Sequence, residues 1–204
     1  MATGLISKTE ATLYIFIMAG LSFAIALVLF NWLSAALIVL VSITAYVYVR
    51  YTRDRIGYLS VVVPAGLIPL AVWAAISPAT ILTPVPWLLV ALRVFYDVGI
   101  NTANEATDKV PVKPLFVQFT PFTEKVDYGA AVIVSLFIGI LLIIYAQLSW
   151  LYLIVLVATT ASALTAVKSL GSQRSQEAVG KNIMIFTLSM AVSLLGLAVF
   201  AWIK

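Results

Sequence analysis

The residues best suited to chemistry lie in RVFYDVGINTANEATDK, positions 93–109. On a helix, Arg93, Asp97, Asn101, Asn104 and Asp108 fall at roughly 0°, 40°, 80°, 20° and 60°, one narrow face, with Glu105 at its border. Carboxylate and amide oxygens in a row are hard donors of the kind that Mg²⁺ takes. Lys109, and Lys113 a few residues on, add point charges for phosphate oxygens. Oxygen donors beside lysines suit a metal–diphosphate headgroup. A plainer reading is also open. Arg93 and Asp97 sit four apart and can neutralise each other within the helix, leaving Asn101 and Asn104 to hydrogen-bond a neighbouring helix.

A second basic group lies in YVYVRYTRDR, residues 46–55. Arg50, Arg53 and Arg55 offer guanidinium forks that match phosphate oxygens. The same arginines also fit simple membrane topology and contact with anionic lipid headgroups. Tyr46, Tyr48, Tyr51, Phe95 and Tyr96 supply π faces that can steady a carbocation. Tyrosines at an interface also serve as plain anchors.

These side chains must be positioned by elements made almost wholly of apolar residues. The chain has 204 residues, 63% of them hydrophobic and 10% charged. Continuous apolar runs predict an all-α, multi-spanning transmembrane bundle rather than an alternating β-barrel. Seven spans are expected, near 11–30, 32–49, 57–76, 86–105, 128–146, 149–167 and 182–203, within one domain covering 1–204. Ser7 to Glu10 fits a capping box before the first span, whose long run lacks the cleavage site of a signal peptide. There is no Cys or His, which excludes thiolate and imidazole chemistry and leaves any metal to oxygen donors. The net charge of +4 reports on topology here and is no nucleic-acid signal.

Connections alternate between basic and uncharged. Ten of the twelve Lys and Arg residues fall on one side: Lys8, then Arg50, Arg53 and Arg55, then Lys109, Lys113 and Lys125, then Lys168, Arg174 and Lys181. The positive-inside rule makes that side cytoplasmic. The N-terminus is then cytoplasmic and the C-terminus lies on the opposite side. The connection 106–127 holds Pro111, Pro114 and Pro121, which excludes one continuous helix there.

Several segments together resemble the UbiA superfamily of intramembrane prenyltransferases. GLISKTEA, residues 4–11, is similar to the family's Gly-x-Ile-Ser segment. YVYVR, residues 46–50, resembles its Tyr-x-x-x-Lys region, with Tyr46 and Arg50 in those places. AGLIPLAVWAAI, residues 65–76, resembles the Gly/Pro-containing span before the second Asp-rich motif. DVGINTANEATDK, residues 97–109, is similar to that motif, with Asp97 and Asp108 at its outer aspartates and Asn104 at the middle one. KNIMIFTLSMAVSLLGLAVFAWI, residues 181–203, resembles the last helix. The family has nine spans and a first motif, NDxxDxxxD, which this sequence lacks; nine less two gives the seven spans above.

The resemblance implies transfer of a prenyl group from a polyprenyl diphosphate to a lipophilic acceptor, with Mg²⁺ as cofactor. It implies Asp97 and Asp108 as catalytic residues and Asp97, Asn101, Asn104 and Asp108 as metal ligands. Tyr46, Arg50, Arg53, Arg93, Lys109 and Lys113 would contact substrate. With the first motif absent and Asn104 in place of an aspartate, diphosphate binding with slow or no transfer is expected. The alternative is a non-catalytic structural subunit that holds membrane lipid or an isoprenoid pigment among other membrane subunits. A third reading is a small transporter with the polar ladder lining an ion path, although no inverted repeat accompanies it. The topology is directly checkable. A reporter fused after Lys204 should report the exterior, and a cytoplasmic signal would contradict the seven-span arrangement.

Overall fold

The computed structural model of the chain describes residues 8–48, 59–105, 121–167 and 176–202. Among them every long element is an α-helix. The order is α1 (Lys8–Leu29), α2 (Trp32–Val47), α3 (Leu59–Ile76), a 3₁₀ turn (Pro78–Thr80), α4 (Pro84–Glu105), α5 (Pro121–Ala146), α6 (Tyr152–Val167) and α7 (Gln176–Trp202). Each follows one of the apolar runs, because only a helix satisfies its own backbone polar groups in lipid. Thr12–Leu29 and Tyr128–Ala146 are long and apolar enough to cross a membrane by themselves, and shorter apolar helices run through the rest. Of the expected capping box, Glu10 lies in the first turn of α1 and Ser7 lies outside the described residues.

Two helices begin earlier than hydropathy indicates. α5 starts at Pro121 instead of 128, and α7 at Gln176 instead of 182. Hydropathy marks the stretch that needs lipid, whereas backbone hydrogen bonding continues into polar turns such as Thr123-Glu-Lys-Val-Asp127. Proline at the first helical position fits, since its missing N–H would have no helical partner there.

Consecutive helices pack on one another, and α4 also packs on α7. That contact closes α4, α5, α6 and α7 into a four-helix ring. α3, α2 and α1 continue from α4 as a row, with α1 against α2. α4 is therefore the hub, touching α3, α5 and α7. Its apolar face is sealed: Leu92 is fully buried with Tyr128, Val132 and Leu142. Small residues set the spacing, as between helices in lipid. A Cβ on Gly66 would sit 3.0 Å from Val94 Cγ2, and one on Gly139 would sit 2.7 Å from Leu156 Cδ1. Outward side chains are apolar, with Leu13, Phe16, Val28 and Leu29 of α1 exposed, as suits contact with lipid.

Polar atoms in this setting act as clasps. Asn31 caps α2, its Oδ1 accepting from Ser34 N at 2.9 Å, while its Nδ2 donates to Ala74 O at 2.7 Å across to α3. Ser34 Oγ donates to Ala71 O at 3.1 Å one turn away. Replacing Asn31 with Ala removes both a cap and an interhelical bond, and should cost roughly 1–3 kcal/mol. Asn31→Ser keeps a cap but loses the reach to Ala74, so its loss should be smaller. Thermal unfolding in detergent measures both; equal losses would mean that the interhelical bond contributes nothing.

Candidate functional site

α4 opens on Pro84-Val-Pro86 and runs without a break to Glu105, so the ladder positions from Arg93 to Asn104 are carried on one continuous helix. At its inner end Arg93 and Asp97 form the i,i+4 pair that the spacing allows. Arg93 Nε donates to Asp97 Oδ2 at 3.1 Å, and Nη2 lies 3.0 Å from Oδ1. Both carboxylate oxygens thus face one guanidinium. Asp97 is 5% exposed, whereas the Arg93 side chain is 31% exposed. Arg93 Nη1 also reaches Met190 Sδ on α7 at 3.3 Å. A lone charge at this depth would cost at least about 2.5–3.5 kcal/mol, which explains why the two are held together.

Beside the pair, three helices meet on one serine. Tyr96 hydrogen-bonds the Ser193 side chain. Tyr152, at the start of α6, donates to Ser193 O at 3.0 Å and lies 2.9 Å from its Oγ. Ser193 and Tyr152 are fully buried. Gly196 permits this approach, since a Cβ there would meet Tyr152 Cε2 at 2.9 Å. On the far side of the ring Tyr128 donates to Ala163 O at 3.2 Å. Sequence reasoning missed Ser193, Tyr152 and Met190. The one available signal was Ser189 and Ser193, a helical pair of small polar residues in an apolar run.

The other expected site residues divide into three groups. Asn101 and Asn104 lie on the last turns of α4, at ladder positions. Tyr46 ends α2 and is half exposed, with α3 between α2 and α4. Arg50, Arg53, Asp108, Lys109 and Lys113 lie outside the described residues, as do Tyr51 and Arg55. Phe95 packs against the buried cluster of the ring.

The chemistry of a hard divalent ion can be tested against this donor set. The oxygens are of the right kind, but both of Asp97's are taken by Arg93. Asp97 and Asn104 are also seven residues apart, about 10 Å along the axis, so one ion could share them only with both side chains extended toward each other. Among the described residues no three acidic side chains cluster. Asp97 is therefore neutralised by Arg93, and an ion there would have to share its carboxylate with the guanidinium.

The family model of the UbiA prenyltransferase family matches residues 1–191. The chain belongs to that family. No curated protein matches it, and no solved structure does. UbiA membership makes the bundle an integral membrane protein of a multi-span helical fold, with prenyl transfer as the type of function. It agrees with the all-helical architecture of the described residues.

The ion pair makes a separable prediction. Asp97→Leu strands the arginine, and Arg93→Met strands the aspartate. Each should destabilise by about 3 kcal/mol, the lower end for a buried pair, because Arg93 is partly open. The double variant should recover most of that loss. Melting temperatures of the four proteins in detergent give the coupling directly; additive losses would mean that the two residues act independently.

Proposed function

We propose that this UbiA-family chain binds a polyprenyl diphosphate at the basic end of α4, on the cytoplasmic side, and passes the prenyl group to a lipophilic acceptor between the helices. The observation that supports this reading most is the match to the UbiA family over residues 1–191, on a chain whose central helix carries the ladder. Arg50, Arg53, Lys109 and Lys113 hold the diphosphate oxygens as the allylic C–O bond breaks and its electron pair stays with the leaving group. Asn101, Asn104 and Asp108 supply oxygens toward the same end, with Asp97 deeper in the pair. Mg²⁺, when bound, neutralises diphosphate charge. Tyr46, near the end of α2, offers its ring to the substrate. The acceptor attacks the freed carbon and gives up a proton. The apolar walls of the bundle exclude water from the cation until it does.

A second reading is favoured by one observation. Both Asp97 oxygens are engaged by Arg93, as a bundle that had given up metal chemistry would leave them. That chain would be a structural subunit that holds lipid or an isoprenoid.

Titration of the purified protein with geranylgeranyl diphosphate separates the two. The first reading expects binding that needs Mg²⁺ and falls on the order of tenfold or more in Asp108→Ala, since no His or Cys can replace that carboxylate. Lys113→Ala should cost only about two- to fivefold, because a phosphate contact near water is screened. Equal binding with and without Mg²⁺, or none in either, would favour the structural subunit.

A further inference from the structure

The depth of Arg93 sets it apart from the headgroup chemistry. Twelve residues of unbroken α4 separate Arg93 from Glu105, about 18 Å along the helix axis. Nine residues separate it from Pro84 at the other end, about 14 Å. In a hydrocarbon core about 30 Å thick, this is close to the middle. The side chain leans toward Asp97, one turn nearer the basic end, yet still stays well short of it. A diphosphate held by Lys109 and Arg50 does not extend that far, and the prenyl tail that would pass this level has no polar atoms.

Arg93 nevertheless has hydrogen-bonding capacity to spare. A guanidinium carries five N–H donors. Among the described residues, its contacts with Asp97 and Met190 account for at most three. Almost a third of the side chain is exposed, at a level where an unanswered donor is costly. Asp97 supplies the countercharge and fixes the fork in place. A net anion would therefore arrive at a pair that is already neutral and would remain uncompensated in the bilayer. An uncharged oxygen suits the remaining donors without adding charge.

We infer that Arg93, oriented by Asp97 and flanked by Met190 and Tyr96, is a mid-membrane seat for the neutral carbonyl-type oxygen of a lipid-soluble molecule. This seat is separate from the diphosphate end of α4. It gives the bundle a way to choose among lipophilic ligands by one polar atom. It does not require the diphosphate reading to hold.

The test uses two probes that differ in one oxygen, decanophenone and decylbenzene, titrated calorimetrically into the full chain in detergent. The ketone should bind about tenfold more tightly, the effect of one hydrogen bond to a charged donor. Arg93→Met/Asp97→Leu keeps the bundle free of stranded charge, and there the preference should vanish while the melting temperature stays within a few degrees of the parent. Arg93→Lys, with a differently directed set of donors, should keep only part of the preference. Repeating the titration in phosphatidylcholine nanodiscs separates a ligand seat from one filled by lipid esters. Persistence of the preference there supports the inference, and its loss would assign the seat to bulk lipid and overturn it. Equal binding of both probes by the parent, or an undiminished preference in the double variant, would also overturn it. Geranylgeranyl diphosphate binding, measured on the parent and on Lys113→Ala beside the ketone preference of each, reports on the headgroup end, so failure of one site is distinguishable from failure of the other.

Discussion

A charge inside a bilayer has to be answered by another charge or by a polar partner, and the arrangement at the centre of this bundle follows from that. Arg93 and Asp97 answer each other one turn apart on α4. Because they are neutral together, α4 can stand at the hub with Leu92 sealed on one side and a polar face on the other. The closure of α4 on α7 then brings Met190 and Ser193 to that face. A charge stranded by the loss of either partner alone would oppose the closure of the ring on α4.

Among the described residues, several polar side chains form joints between helices. Asn31 and Ser34 tie α2 to α3, Tyr128 ties α5 to α6, and Tyr152 ties α6 to α7. Each joint uses a backbone carbonyl as acceptor, which a helix can share without losing its own bond. Close approach comes from Gly66, Gly139 and Gly196, where a Cβ would meet a neighbouring side chain at 3.0 Å or less. The ladder is a different kind of polar feature, since its positions recur along one face of a single helix. That difference separates the site from the scaffold.

Much of this was legible in the sequence. The helices follow from uninterrupted apolar runs, and the ladder from a spacing that only a helix turns into a face. The Arg93–Asp97 pair was one of two open readings, and local spacing was enough to raise it. What was not legible lies in long-range contacts and in helix ends. Met190 is 97 residues from Arg93, and Ser193 is 41 from Tyr152, so no local pattern connects them. The early starts of α5 and α7 escaped because polar residues continue a helix without any apolar signal. The expected ligands share a face but differ in depth, Asp97 and Asn104 lying about 10 Å apart along the axis.

The central claim is that the α4 face is open to water at its basic end and grades into a dry ion pair at Arg93. The chain contains no cysteine, so single cysteines can be placed along α4 and probed in sealed vesicles with a membrane-impermeant maleimide. The account predicts labelling from the cytoplasmic side at Asn101→Cys and Asn104→Cys, protection of both by geranylgeranyl diphosphate, and none at Leu92→Cys or Phe95→Cys, which pack into the buried cluster. Labelling that ignores the helical face, or that is strongest at Leu92→Cys, would contradict it.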